Sequence, residues 1–106
     1  MLNQVIVIGK LQKIVDNGDS AIISIANTRA FKNANGEYET DIIDFKVWEG
    51  IKNNIIDYCK QGDTIGVKAR VITEEKDGKR IMVLLADKIT FLTTKAPETN
   101  GETNNE

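Results

Sequence analysis

The side chains able to do chemistry in this sequence are rings and cations. Trp48, the only Trp, ends a stretch from Ile22 that reads IISIANTRAFKNANGEYETDIIDFKVW and also holds Phe31, Tyr38, Arg29, Lys32 and Lys46. Rings stack on planar ligands such as unpaired bases, and nearby cations hold the phosphates that accompany them. Lys10, Lys68, Arg70, Lys79 and Arg80 extend the set of candidate phosphate contacts, each with solvated surface charge as its alternative. For Trp48 the alternative is a core ring at a strand end, because Trp is seldom fully exposed.

Acid–base and metal chemistry find little support. With no His and one Cys, the chain has none of the usual zinc spacings and no internal disulfide. Cys59 reads as a small buried hydrophobe, since no His is available to activate it. Glu74 and Glu75 are adjacent, and adjacent side chains on a strand point to opposite faces, which argues against a catalytic pair. No catalytic residue, metal or cofactor is expected.

The elements that must position the rings begin with a long antiparallel hairpin over Ile22–Trp48, turning at Asn33-Ala34-Asn35-Gly36. Side chains on a strand alternate with period two. Ile43, Phe45 and Val47 therefore share a core face, while Tyr38, Thr40, Ile42, Asp44, Lys46 and Trp48 share a wet one. On the first arm Ile23 and Ile25 form the core pair, facing Ile43 and Phe45. A five-residue loop, Lys32–Gly36, matches these parities and sets Ser24, Ala26, Thr28 and Ala30 across from Asp44, Ile42, Thr40 and Tyr38. Small side chains beside large ones leave room for a flat ligand. Phe31 has the opposite parity and reaches the same ligand only through ribbon twist.

Around the hairpin, Leu2–Val15 predicts a first strand, apolar on both parities at Val5 to Ile8, with Gly9 as a bend, bulge or close backbone approach. Asp16-Asn17-Gly18-Asp19 is a turn. From Glu49 to Gln61 the period becomes helical, with Ile51, Ile55, Tyr58 and Cys59 on one stripe and Gly62 at the capping position. Thr64–Thr73 alternates again, with Ile65, Val67, Ala69 and Val71 inward. Lys76-Asp77-Gly78-Lys79 predicts a second hairpin, and Arg80–Leu92 a last strand apolar on both parities at Ile81 to Leu85. Residues 93–106 hold the only Pro and no large apolar side chain, the pattern of a disordered polar tail.

The 106 residues suffice for one small domain, 1–92, with a thin core. Residues 1–95 hold all 14 Lys and Arg and 13 of the 16 acids, a net charge of +1, so polyanion binding must come from local arrangement. The N-terminal MLNQVIVIGK is too short and lacks the basic start of a signal peptide, and no window approaches 18 apolar residues. A soluble, cytoplasmic protein with no membrane partner is expected. Three strands, a helix and two strands make an all-β chain whose order suggests the five-stranded Greek-key barrel known as the OB-fold, with one short helix between strands 3 and 4 and long hairpins. An SH3-like barrel lacks a helix of this length there.

The segments LNQVIVIGKL, NTRAFKNANGEYETDIIDFKVWEG, DYCKQGD and ADKITFL, in that order and spacing, resemble the bacterial-type single-stranded DNA-binding proteins over residues 1–92. That resemblance implies an OB-fold assembled as a homotetramer, nucleoid or replicon associated, binding single-stranded DNA without sequence preference in replication, recombination and repair. It also implies base-stacking rings at Phe31 and Trp48, with Ile42 standing where relatives carry a further aromatic. Gln4, Asp44 and Gly50 occupy positions often basic in relatives, and the hairpin near Lys76 is short and without an aromatic. The final residues, Thr103–Glu106, lack the acidic tip ending in Pro-Phe through which such proteins recruit replication and repair partners. An OB-fold protein-interaction module, a primosome or replisome accessory using the same wet face, is the alternative function.

Overall fold

The structure, a computed structural model, describes residues 1–92; the expected tail, 93–106, lies outside the described residues. Five strands, β1 (Val5–Asp16), β2 (Ser20–Lys32), β3 (Tyr38–Trp48), β4 (Thr64–Lys76) and β5 (Lys79–Phe91), close into a barrel in the order β1-β2-β3-β5-β4. β1 closes it by pairing with β4 from Val5 to Lys10 and with β2 from Lys10 to Asp16. The helix α1, Glu49–Tyr58, stands between β3 and β4. This is the OB-fold expected from the strand order.

The core follows the pleat. Ile23 pairs with Phe45 and Ile25 with Ile43 across the β2–β3 ladder, and Leu11, Ile23, Ile25, Phe45, Val47, Ile55, Ile65 and Val67 are all buried. Burying a side chain of this size stabilises by about 1.5 to 3 kcal/mol, so the barrel interior supplies most of what opposes chain entropy. The outer parity of β1 stays open: Ile6 is 63% and Ile8 56% exposed, while Val5 and Val7 pack on the core.

Gly9 makes the corner possible. A Cβ there would lie 2.3 Å from the carbonyl oxygen of Ala26 and 2.8 Å from Cγ2 of Ile25, so of the three readings of this residue the close backbone approach is observed. The irregularity itself falls later, between Leu11 and Lys13. There Leu11 turns its backbone to the segment after the helix, donating N–H to Asp63 O at 2.9 Å and accepting from Gly62 N at 2.8 Å.

That contact corrects two expectations. The helix stops at Tyr58 rather than Gln61, because Cys59 is extended, and Gly62 serves the β1 contact instead of capping. Tyr58 is not on the buried stripe: it is 63% exposed, whereas Ile51, Ile55 and Cys59, spaced by four, face the core. Its ring meets Phe91 instead, with centroids 6.1 Å apart. Lys52 is buried beside that stripe, where its Nζ donates to Asp16 Oδ1 at 2.9 Å and to the Gly18 carbonyl. Asp16 also accepts from Gly18 N at 2.9 Å; that bond, then Lys52, holds the Asp16 carboxyl below its ordinary range.

The β4–β5 hairpin turns on Asp77 and Gly78, with φ of 53° and 76°, the left-handed pair of a two-residue turn for which Asp-Gly is suited. Asn3 extends the β1–β4 edge with its side chain, accepting from Val71 N at 2.9 Å and donating to Val71 O at 2.7 Å.

Two glycine substitutions test the packing. Gly9→Ala should cost about 1 to 3 kcal/mol, since the new methyl meets backbone that must move. Gly50→Ala, where nothing lies within 4 Å, should be neutral or stabilise by about 0.4 to 1 kcal/mol. Urea melts of both would expose a wrong β1 corner if the Gly9 variant proved as stable as the wild type.

Candidate nucleic-acid interface

The outward parity of β3 carries Tyr38, Thr40, Ile42, Asp44, Lys46 and Trp48 in one row, because Ile43, Phe45 and Val47 take the inward positions. The ladder pairs Trp48 with Ser20, Lys46 with Ile22, Asp44 with Ser24, Ile42 with Ala26 and Thr40 with Thr28. Trp48 is 50% exposed, Ile42 57% and Tyr38 55%. A core position for Trp48 is thereby ruled out.

Small partners leave relief on this face, as the side-chain sizes suggested. Ala26, Thr28 and Thr40, with Gly9, Lys10, Gln12 and Thr64, line a hollow of about 410 Å³. A second, of about 510 Å³, opens between β3 and β5 and is walled chiefly by Ile22, Ile42, Lys46, Met82 and Leu84. The second exists because β3 and β5 pair in parallel only at Lys46 and Leu85. Ala26 of the first hollow and Ile42 of the second are ladder partners.

The expected register fails beyond Thr28. Tyr38 pairs with Lys32, not Ala30, and residues 29–31 have no ladder partner. The loop is accordingly Asn33–Glu37. Asn33 builds it, its N–H donating to Glu37 O at 2.7 Å while its Oδ1 accepts from Asn35 N and Glu37 N at 2.8 and 3.0 Å. The side chain of Lys32 crosses back toward its new partner, with Nζ 5.9 Å from the centre of the Tyr38 ring. Phe31 lies in the unpaired stretch and is 69% exposed, so the two-residue alternation that set it on the other face does not bind it.

The cations divide into three groups. Arg29 is committed to acids: its Nε and NH2 donate to Asp41 at 3.0 and 2.9 Å, and NH1 to Glu39 at 2.8 Å. Both acids have the parity of Ile43 on β3, opposite the row of Trp48. Lys46 and Arg70 are paired, Lys46 with Glu74 at 2.9 Å and Arg70 with Asp87 at 3.8 Å. Lys10, Lys32, Lys68, Lys79 and Arg80 are exposed and make no ion pair among the described residues. Lys10 lines the first hollow, whereas Lys68 sits opposite Ile6 on the β1–β4 side and Lys79 and Arg80 at the tip of the β4–β5 hairpin.

Sequence reasoning missed the partners of these cations. Asp41 and Glu39 stand in the chain like ordinary surface acids, and only the cross-strand register brings them to Arg29. Asp44 accepts from Ser24 Oγ at 2.6 Å, so the acid found where relatives are often basic is tied into the sheet. Among the described residues no cluster of acids and Cys could hold a metal ion, and no helix is long and apolar enough to cross a membrane.

An OB-fold with a ring-bearing, cation-flanked outer sheet face defines a class of nucleic-acid binders. The comparisons narrow that class. Residues 2–92 match the single-strand binding protein family, and the chain belongs to it. It is 35% identical to single-stranded DNA-binding protein 2 of Listeria monocytogenes, over 99% of this chain and 72% of that protein. With single-stranded DNA-binding protein B of Bacillus subtilis it shares 34% identity, over 92% of this chain and 96% of that one. The fold is shared with the Plasmodium falciparum SSB complex with ssDNA, at a TM-score of 0.64 and 23% identity over 87% of this chain and 96% of that chain. It is shared also with a mitochondrial single-stranded DNA-binding protein of Saccharomyces cerevisiae, at a TM-score of 0.64 and 18% identity over 86% and 93% of the two chains.

The Arg29 cluster has a pH signature. Its hydrogen bond to Arg29, and then the guanidinium charge, hold the Asp41 carboxyl below the ordinary aspartate value of 3.8. A depressed carboxylate contributes its stability above the unfolded value, and that contribution is lost as pH falls through the folded one. NMR titration should therefore place the Asp41 midpoint below 3.8, and Arg29→Gln should raise it. A midpoint indifferent to Arg29 would mean that the pair does not persist in solution.

Proposed function

We propose that this chain is a non-catalytic, non-sequence-specific single-stranded DNA-binding protein that stacks bases on Trp48 and Phe31. Tyr38 and Ile42 add contact along the same face, and Lys10, Lys32 and Lys46 hold phosphates beside it. The observation that carries the reading is the half-exposed Trp48 in line with Ile42 and Tyr38 on one sheet face; membership of the family and the names of its relatives support it. Lys68, Arg70, Lys79 and Arg80 serve a path that continues around the barrel, and Arg29 contributes least because two carboxylates already neutralise it. A cytoplasmic, replicon-associated role protecting DNA in replication, recombination and repair belongs to the same proposal.

Assembly as a homotetramer is part of it. Ile6 and Ile8 expose an apolar stripe on β1, beside the flat surface at Gly66 and half-exposed Leu92. Contiguous exposed apolar side chains on a strand call for cover by another surface. β1 from Val5 to Val7 also pairs on one side only, with β4, so a second copy has both a stripe and a short edge to meet.

Saturating oligo-dT should quench the single indole, and Trp48→Ala should weaken binding by about 1 to 3 kcal/mol, with Phe31→Ala costing as much or less. Log affinity should fall with log salt at about 0.7 per phosphate neutralised. Light scattering on the same samples should give four chains of 11.8 kDa. Unchanged affinity in Trp48→Ala would remove the stacking assignment, and a one-chain mass at micromolar concentration would remove the tetramer.

A further inference from the structure

Trp48 does not present both ring faces freely. The Nζ of Lys46, two residues back on the same face, stands over the indole at 4.7 Å from the ring centroid. A cation at that distance is attracted by the ring's quadrupole, and it occupies the space in which a stacked base would lie. The same Nζ is 2.9 Å from Oε2 of Glu74, with the Lys46 side chain 21% and the Glu74 side chain 38% exposed. Glu74 comes from β4, which is separated from β3 by β5 in the barrel order. An acid from the β4–β5 ribbon thus fixes a cation on top of the ring.

We propose that Lys46 and Glu74 form a latch over Trp48, in which Glu74 holds the ammonium on one ring face and a DNA phosphate must draw it away before a base stacks there. The proposal rests on the reading of this face as a single-stranded DNA site. Lys46 then has two positions, one shared between Glu74 and the indole, the other on a phosphate. Its ammonium keeps a negative partner in both, so the exchange is cheap compared with exposing an unpaired charge. Glu74 sets the balance because it competes directly with phosphate for one cation. Glu75 is the built-in control: it carries the same charge one residue on, is exposed, and lies opposite Arg80 in the ladder without reaching Lys46.

The test compares Glu74→Gln and Glu75→Gln, in wild-type and Lys46→Met backgrounds, by fluorescence anisotropy with a labelled dT oligonucleotide at low salt. Both variants remove one negative charge from an exposed or half-exposed site, and matching melting temperatures establish that each is folded. Glu74→Gln should bind about two- to fivefold tighter than Glu75→Gln, the scale of a solvent-screened ion pair, and added salt should shrink the difference. In the Lys46→Met background the two should bind alike. Without DNA, Glu74→Gln should change Trp48 emission and Glu75→Gln should not. Equal affinities for the two variants, or a Glu74 advantage that survives in Lys46→Met, would overturn the latch while leaving the stacking face intact. Absence of oligonucleotide binding by the wild type would instead overturn the function on which the latch rests.

Discussion

The register of β2 against β3 is the constraint on which the rest depends. From Ser20–Trp48 to Thr28–Thr40 the two strands stay in step through every intervening pair. A slip of one residue would turn Ile43, Phe45 and Val47 outward and bury Ile42, Asp44 and Lys46. The apolar cost of that exchange is large: Phe45 and Val47, fully buried, at about 1.5 to 3 kcal/mol each, with part of Ile43, besides carboxylate and ammonium groups moved from water. Core and proposed binding face are therefore specified by the same alternation, and Trp48 is held on the outer row because its neighbour Val47 is held in the core.

Where the barrel ends, so does this control. Past Thr28 no core lies beneath the ribbon, residues 29–31 lose their partners, and local chemistry takes over. Asn33 shapes the loop, while Arg29, Glu39 and Asp41 tie the two arms together from the side opposite Trp48. The ribbon's charges are thus spent largely on one another. In the proposed function, cations that make no ion pair among the described residues, Lys10 and Lys32 among them, hold phosphates while the rings stack bases.

Strand alternation and turn residues made most of this legible beforehand. The two-sided apolar strands, the parity of β3, the helix between β3 and β4 and the Asp-Gly turn could all be read from residue order, since each rests on local periodicity. The strand order supplied the fold name, and the resemblance of four segments to a known family added the expected stacking roles of Phe31 and Trp48 and the expected assembly. What could not be read depends on side chains far apart in sequence. Lys52 looks like a solvated helix residue until the Asp16–Gly18 turn folds against it, Tyr58 fits a helical stripe until Phe91 draws its ring aside, and Glu74 meets Lys46 only through barrel closure. The Ala30–Tyr38 pairing failed because alternation was extended past the core that enforces it.

Photochemical cross-linking of a 5-iododeoxyuridine oligonucleotide, with the attached residues mapped by mass spectrometry, would locate the DNA on the surface. The chain carries its own control, since Tyr58 is as exposed as the proposed contacts at 63% but sits on the helix rather than on the outer face of β3. Stacking on the outer face of β3 predicts adducts at Trp48, with Phe31 or Tyr38, and none at Tyr58. Adducts at Tyr58 and Phe91 with Trp48 unmodified would place the DNA elsewhere and contradict it.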